Sequence, residues 1–431
     1  MGIIELSNLK KPVVGQVVIG GSKSYTNRAL ILAALANGKS ILTSLSLSDD
    51  SIVLIQALQK LGILISFINK TTVEVSGNGG NFAPHTLSID VGHAGTAMRF
   101  LTALCSLVPG EITLDGSARM RERPIADLVD ALQSLGVSIS YSINEGFPPL
   151  IIKGGSCAKN FIEMSGKISS QFISALLLIA PALSGGLEIK MTDEQISKSY
   201  IDMTIDGLQK FGVEVTNDHY KKYSIDGLQK LHPAEYQVEG DASGASYLFA
   251  LAAVSGGSVT VKNINPLSAQ GDVHFVDILE TMGCGVSKDI KNNIISVSGP
   301  KKLNAVSVDM SLMPDTAQTL AVVAVFAKGS THISGLSTLR VKETDRIEAT
   351  KNELKKMGIT CGSTHNSLTI HGGIPRAATI CTYKDHRMAM AFSVAGALLS
   401  GMKIENPEVV KKSFPDYWER IAELGITSKL I

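Results

Sequence analysis

An internal repeat constrains the fold of this chain more than any other feature. Six apolar segments each begin with polar residues and end at a glycine, and these glycines recur at intervals of 71 to 75 residues: Gly38, Gly110, Gly185, Gly256, Gly329 and Gly401. Each segment has helical length, many Ala, Leu and Met residues, a polar start suited to N-capping and a glycine suited to a C-cap at positive φ. Because the segments are apolar on all faces, we expect six buried helices.

A second series of six glycines recurs with about the same period. Each ends a more amphipathic segment and precedes an apolar or small residue: Gly62, Gly136, Gly212, Gly283, Gly358 and Gly425. Short alternating or β-branched stretches, bounded by turn residues, lie between the helical segments. The repeating unit is therefore predicted to be β-α-β-α-β-β.

Six such units are too many for one hydrophobic core, and 431 residues exceed the length of an ordinary domain. We predict an α/β (α+β) fold of two domains, each with three repeats, with the buried helices inside and the sheets outside, as in an inside-out α/β barrel. The first domain is predicted to span residues 21–239. The second is predicted to comprise residues 1–20 and 240–431, because the last repeat needs a strand from the N-terminal segment.

Composition limits the classes of partner. The chain is 44% apolar and 18% charged, which is typical of a globular protein, and its net charge of +1 provides no general attraction for nucleic acid. Five scattered cysteines, odd in number, favour a reducing compartment. The start lacks a signal peptide, and the longest apolar run is shorter than the ~20 residues of a membrane span. We expect a cytoplasmic protein with small-molecule partners and no nucleic acid or membrane.

The starts of the buried helices carry the candidate chemistry. If the three helices of each domain run side by side, their N-termini converge and attract anions, and the two ends would face each other across a cleft. The first start, GSKSYTNRA, contains Lys23, Ser24 and Arg28. A lysine at a helix N-terminus opposes the helix dipole, so it indicates pairing with an anion; a solvated surface lysine is the alternative.

Further candidates follow in the first domain. Gly95 of GHAGTAMRF allows close approach of a ligand, although a plain tight turn would also explain it. Three arginines on a loop before the next helix form either a phosphate clamp or a solvated face: Arg119, Arg121 and Arg123. Five neutral residues suit either helix capping or recognition of a phosphate or sugar hydroxyl: Ser169, Ser170, Gln171, Ser197 and Tyr200.

The second domain contributes charged residues. Asp315 in MPDTAQ is either an N-cap or an acid/base group among cations. Three later motifs contain further charged groups: Lys342, Glu343, Asp345, Arg346, Asp385, His386, Arg387, Lys411 and Lys412. Because no nucleotide phosphate loop, metal-ligand cluster or nucleophile elbow is present, we expect chemistry without a cofactor or metal.

Ten motifs in order, from about Gly21 to Trp418, carry a resemblance to a known family: GSKSYTNRA, GHAGTAMR, RERPI, SSQF, EGDASGAS, QGD, MPDTA, RVKETDR, DHRMAMA and FPDYW. Together they resemble the 5-enolpyruvylshikimate-3-phosphate synthase family. The resemblance implies two domains of three β-α-β-α-β-β units. It also implies addition-elimination transfer of the enolpyruvyl group of phosphoenolpyruvate to the 5-hydroxyl of shikimate 3-phosphate, in a cleft that closes on substrate. The reaction belongs to the shikimate pathway of chorismate and aromatic amino acid biosynthesis; we expect a monomer inhibited by glyphosate.

The resemblance also implies roles for individual residues. Three are catalytic: Asp315, Glu343 and Lys23. Ten bind shikimate 3-phosphate: Lys23, Ser24, Arg28, Ser169, Ser170, Gln171, Ser197, Tyr200, Asp315 and Lys342. Seven bind phosphoenolpyruvate: Lys23, Gly95, Arg123, Gln171, Arg346, Arg387 and Lys412. The sequence departs from the family pattern at four positions, none of them a charged catalytic one: His93, Phe100, Ser199 and Thr338.

Three alternatives stay open. The related enolpyruvyl transferase acting on UDP-N-acetylglucosamine typically has a cysteine in a loop of its first domain, whereas Arg119–Arg123 occupy the comparable region here without one. A kinase could use the same cations, but a nucleotide loop is missing. A repeat scaffold without activity would not need charged residues clustered at helix starts.

Overall fold

Two separate units make up this protein, as seen in a computed structural model that describes residues 2–155, 157–167 and 169–431. The inserted unit is Gly21–Val238, and the split unit combines Met1–Gly20 with Glu239–Ile431. Each unit contains three β-α-β-α-β-β repeats, which confirms the predicted mixed α/β fold.

Twelve α-helices lie in the described part of the chain, two in each repeat. They are α1 (Lys23–Leu35), α2 (Asp49–Lys60), α3 (Gly95–Cys105), α4 (Ala126–Ser134), α5 (Ser170–Ile179), α6 (Lys198–Lys210), α7 (Ala242–Ser255), α8 (Phe275–Thr281), α9 (Ala317–Val325), α10 (Arg346–Lys356), α11 (His386–Gly396) and α12 (Tyr417–Glu423). Within these ranges, no helix is long and apolar enough to cross a membrane.

The odd-numbered helices are the predicted buried ones. All residues of α9 and α11 are buried, and α1 is buried from Tyr25 onward. Within each unit these helices pack against one another, α1 with α3 and α5, and α7 with α9 and α11. The even-numbered helices bury only one face, as their amphipathic sequences predict.

The strands are short. In chain order the described residues form β1 (Ile3–Leu6), β2 (Val14–Val18), β3 (Asn37–Thr43), β4 (Leu64–Asn69), β5 (Thr72–Asn78), β6 (His85–Asp90), β7 (Gly110–Asp115), β8 (Ser138–Tyr141), β9 (Leu150–Lys153), β10 (Phe161–Met164), β11 (Gly186–Met191), β12 (Thr216–Asp218), β13 (Lys222–Asp226), β14 (Glu235–Gln237), β15 (Ser258–Lys262), β16 (Gly285–Asp289), β17 (Ile294–Ser298), β18 (Leu303–Asn304), β19 (Ser307–Asp309), β20 (Ala327–Lys328), β21 (Ser330–Ser334), β22 (Cys361–Ser363), β23 (Leu368–His371), β24 (Thr379–Ile380), β25 (Lys403–Glu405) and β26 (Ser428–Leu430).

One topology recurs in every four-stranded sheet. At α3, α5, α9 and α11 the strand before the buried helix pairs in parallel with the strand after it, whereas at α1 and α7 the preceding strands are exchanged, so that β14 pairs with β3 and β2 with β15. The strand after the helix then pairs antiparallel with a hairpin, or in the sixth sheet with β1, which pairs with β26. The sheet orders are β14-β3-β5-β4, β6-β7-β9-β8, β10-β11-β13-β12, β2-β15-β17-β16, β19-β21-β23-β22 and β24-β25-β1-β26. Each sheet is open rather than closed into a barrel. Burial alternates along strands such as β15, so one face of the sheet covers the helices and the other faces outward.

The N-terminal segment supplies strands to two repeats of the split unit. β2 pairs with β15 of the fourth repeat, and β1 pairs with β25 and β26 of the sixth. In the inserted unit, β14 near residue 236 completes the first sheet beside β3. Each unit is thus completed by a strand that is distant in sequence.

The second glycine series has the predicted role. All six lie at positive φ directly after an amphipathic helix, where a side chain would be strained. At the end of α2, Gly62 and Ile63 donate backbone hydrogen bonds to Gln59 and Leu58, the paired bonds of a Schellman motif.

The first glycine series corrects a prediction. Gly256 is the C-cap of α7 at φ +67°, but the other five are not C-caps. The helices end sooner, α1 at Leu35 for example, and the glycine lies at or near the entry to the next strand. At Gly110 an added Cβ would lie 2.1 Å from the carbonyl oxygen of His85, so close strand pairing requires glycine there.

Candidate active site

Arg28 is the most extensively bonded cation of the inserted unit. It lies on α1, and its side chain is 2% exposed. Its Nε donates to Thr204 Oγ1 at 2.8 Å, and its Nη2 donates to the carbonyl oxygen of Tyr200 at 2.8 Å and to Ser174 Oγ at 3.3 Å. Its Nη1 donates to the carbonyl oxygen of Ser24 at 3.0 Å. The structure therefore brings the predicted residues Ser24, Arg28 and Tyr200 into one network.

No carboxylate neutralises this guanidinium. Among the residues that the structure describes, none forms an ion pair with Arg28, and the guanidinium carbon lies 5.5 Å from the centroid of the Phe100 ring. Burial lowers the pKa of Arg28 to about 10, so the group stays protonated at neutral pH. A buried guanidinium group that donates only to neutral oxygens keeps its positive charge available, so it is suited to binding an anionic ligand.

Lys23 lies at the N-terminus of α1, as expected, but not at the cap itself, and it pairs with a carboxylate of the protein. The N-cap of α1 is Ser22, whose hydroxyl accepts from the backbone N–H of Tyr25, and Lys23 is the first residue of the helix. Its Nζ lies 3.0 Å from Oδ2 of Asp50, a carboxylate with a 4% exposed side chain in the first turn of α2. The sequence analysis missed Asp50, because acidic residues at a helix start ordinarily indicate only favourable interaction with the dipole.

Gly95 and Arg123 lie against each other. A Cβ added to Gly95 would be 2.4 Å from Nη1 of Arg123, so the guanidinium packs on the backbone at the start of α3. Arg123 is 8% exposed, and its Nε has no hydrogen-bond partner among the residues that the structure describes. By contrast, the side chains of Arg119 and Arg121 are 39% and 44% exposed and pair with surface carboxylates. Of these three arginines, Arg123 is the buried one, and it is therefore the best suited to bind an anionic ligand.

The predicted neutral residues lie at the starts of α5 and α6. Ser169 caps α5 by accepting from the backbone N–H of Gln171. Ser197 occupies the N-cap position of α6 at φ +52°, a left-handed conformation unusual for serine. The loops before these helices are joined, because Asp193 accepts hydrogen bonds from Ser165 Oγ and from the backbone N–H of Gly166, each at 2.8 Å. Ser170 is buried and Gln171 half-buried beside them.

Arg346 organises the charged cluster of the split unit. Its side chain is 2% exposed at the start of α10. It pairs with Asp315 at 2.9 Å, with Glu343 at 2.8 Å and with Asp385 at 2.7 Å. Burial would lower the pKa of this guanidinium, but the three carboxylates raise it above its usual range. The starts of α9, α10 and α11 are thereby joined through one arginine.

Asp315 lies between two arginines. Its Oδ1 accepts from Arg346, and its Oδ2 accepts from Nη2 of Arg387 at 2.7 Å. It does not cap α9: the N-cap residue is Thr316, which makes no side-chain capping bond. Burial would raise the pKa of the Asp315 carboxyl, but Arg387, Lys342 and Arg346 hold it well below its usual range. Of the two interpretations of Asp315, the structure supports the one in which it is an ionised group among cations.

Glu343 forms the second carboxylate bridge. Its Oε2 accepts from Arg346, and its Oε1 lies 2.7 Å from Nζ of Lys412. Lys412 is buried in a 3₁₀ turn, Pro407–Lys412, whereas its neighbour Lys411 is exposed. Half-buried Lys342 acts on the cluster through its charge near Asp315.

Two further residues hold Arg387: Asp385, which the sequence analysis named without a specific role, and Tyr247, which it missed. Asp385 caps α11 by accepting from the backbone N–H of Arg387 at 2.9 Å, while its carboxylate pairs with Arg346. Tyr247 on α7 presents its hydroxyl to Nη1 of Arg387 at 3.3 Å. The DHR motif contains the signal for Asp385, since aspartate before a helix indicates a cap; nothing in the sequence links it to Arg346.

Asp272 is a buried carboxyl whose pKa is raised, whereas that of Asp315 is lowered. It lies in the 3₁₀ turn Gly271–His274, accepts from the hydroxyl of Ser243, and its Oδ1 is buried without a hydrogen-bond partner. Burial, and next the negative charge of Asp315, raise the pKa of Asp272 to about 7. One end of the split unit thus contains two carboxyls whose pKa values are displaced in opposite directions, a pattern typical of acid/base sites.

Within the described residues, no group of three or more His, Cys, Asp or Glu side chains is arranged to hold a metal ion. The cations, carboxylates and hydroxyls of the described cluster can bind anions, stabilise charge and transfer protons.

Comparison with known proteins gives consistent results. A family model described as EPSP synthase (3-phosphoshikimate 1-carboxyvinyltransferase) matches residues 8–421. A 3-phosphoshikimate 1-carboxyvinyltransferase of Shewanella piezotolerans is 44% identical over 429 residues, covering 99% of this chain and 100% of that protein. One of Colwellia psychrerythraea is 44% identical over 416 residues, covering 95% of this chain and 97% of that protein.

The fold is similar as well. An EPSP synthase structure from Acinetobacter baumannii superimposes with a TM-score of 0.85 at 27% identity, and the alignment covers 100% of both chains. A second structure of that enzyme gives a TM-score of 0.83 at 26% identity.

Proposed function

The chain belongs to the EPSP synthase family, and from this premise we propose how its residues divide the work of the reaction. The enzyme transfers the enolpyruvyl group of phosphoenolpyruvate to shikimate 3-phosphate in the shikimate pathway. The names of its relatives do not favour the UDP-N-acetylglucosamine alternative. Our proposal concerns the residues: the inserted unit supplies fixed cations and neutral donors for binding, and the split unit supplies the carboxylates that move protons.

One observation carries this proposal: Asp315 is held between Arg346 and Arg387, and Glu343 between Arg346 and Lys412. Cations paired in this way favour the ionised form of a carboxylate, as a general base requires, and they lower the pKa of Asp315. When the anionic groups of phosphoenolpyruvate approach the same cations, they compete for the positive charge. The pKa of Asp315 then rises from its depressed value, and its carboxylate becomes a stronger base at the moment when substrate is present.

We assign the proton transfers as follows. Asp315 takes the proton of the 5-hydroxyl as that oxygen attacks C2 of phosphoenolpyruvate, and C3 gains a proton to become a methyl group. In the second step the methyl group loses a proton, the C2–phosphate bond breaks and inorganic phosphate leaves. Glu343 and Lys23 are the groups assigned to the protons at C3 and at the departing phosphate. The products are the enol ether and phosphate, so atoms and charge balance without a cofactor.

Binding is assigned to the remaining residues. Shikimate 3-phosphate is proposed to contact Lys23, Ser24, Arg28, Ser169, Ser170, Gln171, Ser197, Tyr200, Asp315 and Lys342. Phosphoenolpyruvate is proposed to contact Lys23, Gly95, Arg123, Gln171, Arg346, Arg387 and Lys412. Support comes from the burial of Arg28, Arg123, Arg346, Arg387 and Lys412, because buried cations require an anionic partner or fixed neutral acceptors.

We further propose that the enzyme acts in the cytoplasm as a monomer. All five cysteines are unpaired, which suits a reducing compartment. Light scattering of the purified chain should give the mass of one 45.6 kDa chain; a dimer mass would contradict the monomer.

The test of function is direct. Purified protein is mixed with phosphoenolpyruvate and shikimate 3-phosphate, and inorganic phosphate is measured against time. We expect release only when both substrates are present, and none when UDP-N-acetylglucosamine replaces shikimate 3-phosphate. Release that requires the nucleotide sugar instead would contradict the proposed acceptor.

A further inference from the structure

Within the described part of the chain, the partners of Arg28 are all neutral oxygens. Its partners are two backbone carbonyls and two side-chain hydroxyls, those of Ser174 on α5 and Thr204 on α6. Both hydroxyl residues are 0% exposed. Nothing in the proposed binding set includes Ser174 or Thr204, yet they supply two of the four groups that fix the guanidinium.

The two hydroxyls form one network. Thr204 Oγ1 accepts from Arg28 Nε at 2.8 Å and lies 2.8 Å from Ser174 Oγ and 3.0 Å from the carbonyl oxygen of Tyr200. A hydroxyl has one proton and two lone pairs, so Thr204 can accept from Arg28 while donating to one of these oxygens. Because Nε lies within the guanidinium plane, the hydrogen bond from Nε to Thr204 fixes the orientation of the whole guanidinium group.

The choice of hydroxyls has a consequence for charge. Arg346, the corresponding buried arginine of the split unit, is surrounded by three carboxylates that cancel its charge. Hydroxyl oxygens can accept hydrogen bonds from the N–H groups of Arg28 with the same geometry as carboxylate oxygens, but they do not neutralise its charge. The lowered pKa of Arg28 is consistent with a buried cation that has no counterion.

We infer that Ser174 and Thr204 are positioning residues for the reaction: their hydroxyls orient Arg28 with neutral oxygens, so that its full charge is available to an anionic group of shikimate 3-phosphate. This inference rests on the proposed function, which assigns Arg28 to that substrate. A carboxylate in place of either hydroxyl would orient the arginine and at the same time compete with the substrate.

The test compares binding of the two substrates in five variants. Thr204→Val keeps the shape of the side chain but leaves Arg28 Nε without its acceptor. We expect the Kd of shikimate 3-phosphate, measured by calorimetry, to rise roughly 10- to 100-fold, as for loss of a hydrogen bond to a buried charged group. The KM of phosphoenolpyruvate, measured at saturating shikimate 3-phosphate, should change little. Thr204→Ser retains the hydroxyl and should restore binding.

Thr102→Val is the matched control. Thr102 is also 0% exposed on a helix of the inserted unit, and its hydroxyl donates to the carbonyl oxygen of Met98 at 2.7 Å rather than to Arg28. We expect its Kd for shikimate 3-phosphate to match the wild type. An equal loss in Thr102→Val would mean that any buried hydroxyl matters to the fold, which would overturn the inference.

Arg28→Gln separates this inference from the proposed function. If Arg28→Gln loses shikimate 3-phosphate while a folded Thr204→Val binds it like the wild type, the positioning role is wrong and the substrate assignment stands. If Arg28→Gln binds normally, both fail. Should Thr204→Val not fold, Ser174→Ala removes the acceptor at 3.3 Å from Nη2, together with its hydrogen bond to Thr204, and leaves Thr204 Oγ1 on Nε; weaker binding in it supports the role, and unchanged binding overturns it.

Discussion

The cations of the inserted unit and those of the split unit are held in opposite ways. Arg28 is surrounded by hydroxyls and carbonyls, and Arg123 has a buried Nε without a partner. In the split unit, Arg346 pairs with three carboxylates, and Lys412 with one. Both arrangements bury positive charge, but among the described residues Arg28 and Arg123 form no ion pair with a carboxylate; the buried carboxylate of the inserted unit, Asp50, pairs with Lys23 instead.

This difference indicates a division of labour. A buried cation without a counterion is ready for an anion and contributes to binding, because no carboxylate competes with the ligand. A cluster in which carboxylates and cations alternate binds anions less readily, but it contains ionised carboxylates whose pKa values respond when an anion enters. We therefore expect substitutions in the inserted unit to affect binding first and those in the split unit to affect turnover first.

The largest expected effect concerns Asp315. Asp315→Asn keeps the shape of the side chain and one acceptor for Arg346 or Arg387 but removes the base. We expect turnover to fall by roughly 10²-fold or more, as when a positioned general base is lost. Steady-state phosphate release at saturating concentrations of both substrates measures this effect.

Thermal unfolding is the control for Asp315→Asn, since the cluster loses one charge. A folded variant with wild-type turnover would leave the proton chemistry to Glu343. The split unit would then differ from the inserted one only in its charge pairs.

Arg346→Lys should produce the next largest effect. An ammonium cannot pair with Asp315, Glu343 and Asp385 simultaneously in the planar geometry of a guanidinium. We expect kcat/KM for phosphoenolpyruvate to fall by about 10- to 100-fold, with a much smaller change in the Kd of shikimate 3-phosphate. Arg340→Lys is the matched control, because Arg340 pairs with Asp345 at 2.7 Å outside the cluster. Equal losses for both substrates would contradict the assignment.

Gly95→Ala tests the inserted unit. The added methyl group would overlap the guanidinium of Arg123, a flexible end that can move, so the fold should tolerate the change. We expect the KM of phosphoenolpyruvate, and the inhibition constant of glyphosate, to rise by about 10-fold, while turnover stays near the wild-type value. In Gly362→Ala, where an added Cβ has no neighbour within 4 Å, both constants should be unchanged. A fall in turnover at constant KM would break the proposed division between the units.

The smallest effect concerns stability and Asp272. The pKa of this buried carboxyl is raised to about 7 in the folded state, so the fold favours its protonated form. The wild type should lose stability as pH rises from about 4 to 7, where the unfolded chain ionises first, and the loss should be constant above pH 7. Asp272→Asn lacks this dependence, so its free energy of unfolding should exceed the wild-type value increasingly over that range, by at most about 4 kcal/mol.

Urea unfolding at a series of pH values measures this difference. Asp277→Asn is the control of opposite sign, because lysine and histidine partners lower the pKa of Asp277 despite its partial burial. That variant should be less stable than the wild type above pH 4, and the difference should shrink as pH falls. A pH-independent difference for Asp272→Asn would contradict the raised pKa.

The repeat and its helices were predictable from sequence because they depend on local physics. Apolar residues on every face of a segment require burial, and a glycine followed by a small or apolar residue ends an amphipathic helix at positive φ, as at Gly62 and Gly425. The C-cap prediction for Gly38 was wrong because strand entry imposes the same glycine requirement as a C-cap. Sequence alone does not distinguish a glycine that ends a helix from a glycine that begins a strand.

The contacts of the site could be predicted only in part. Asp315 and Asp385 lie 31 and 39 residues from Arg346 in the chain, and only the fold brings them together. Ser174 and Thr204 are 146 and 176 residues from Arg28. A hydroxyl within an apolar helix, as in the segment around Ser174, is a signal of a buried polar partner, but the identity of that partner is a property of tertiary packing.

Calorimetric titration of shikimate 3-phosphate into Arg28→Gln and Asp315→Asn, side by side with the wild type, tests the division between the units most directly. We predict that Arg28→Gln raises the Kd by ~100-fold or more, as expected when a buried charged contact is removed, while Asp315→Asn stays within about 10-fold of the wild type. The reverse order, with Asp315→Asn losing the ligand and Arg28→Gln retaining it, would contradict the account.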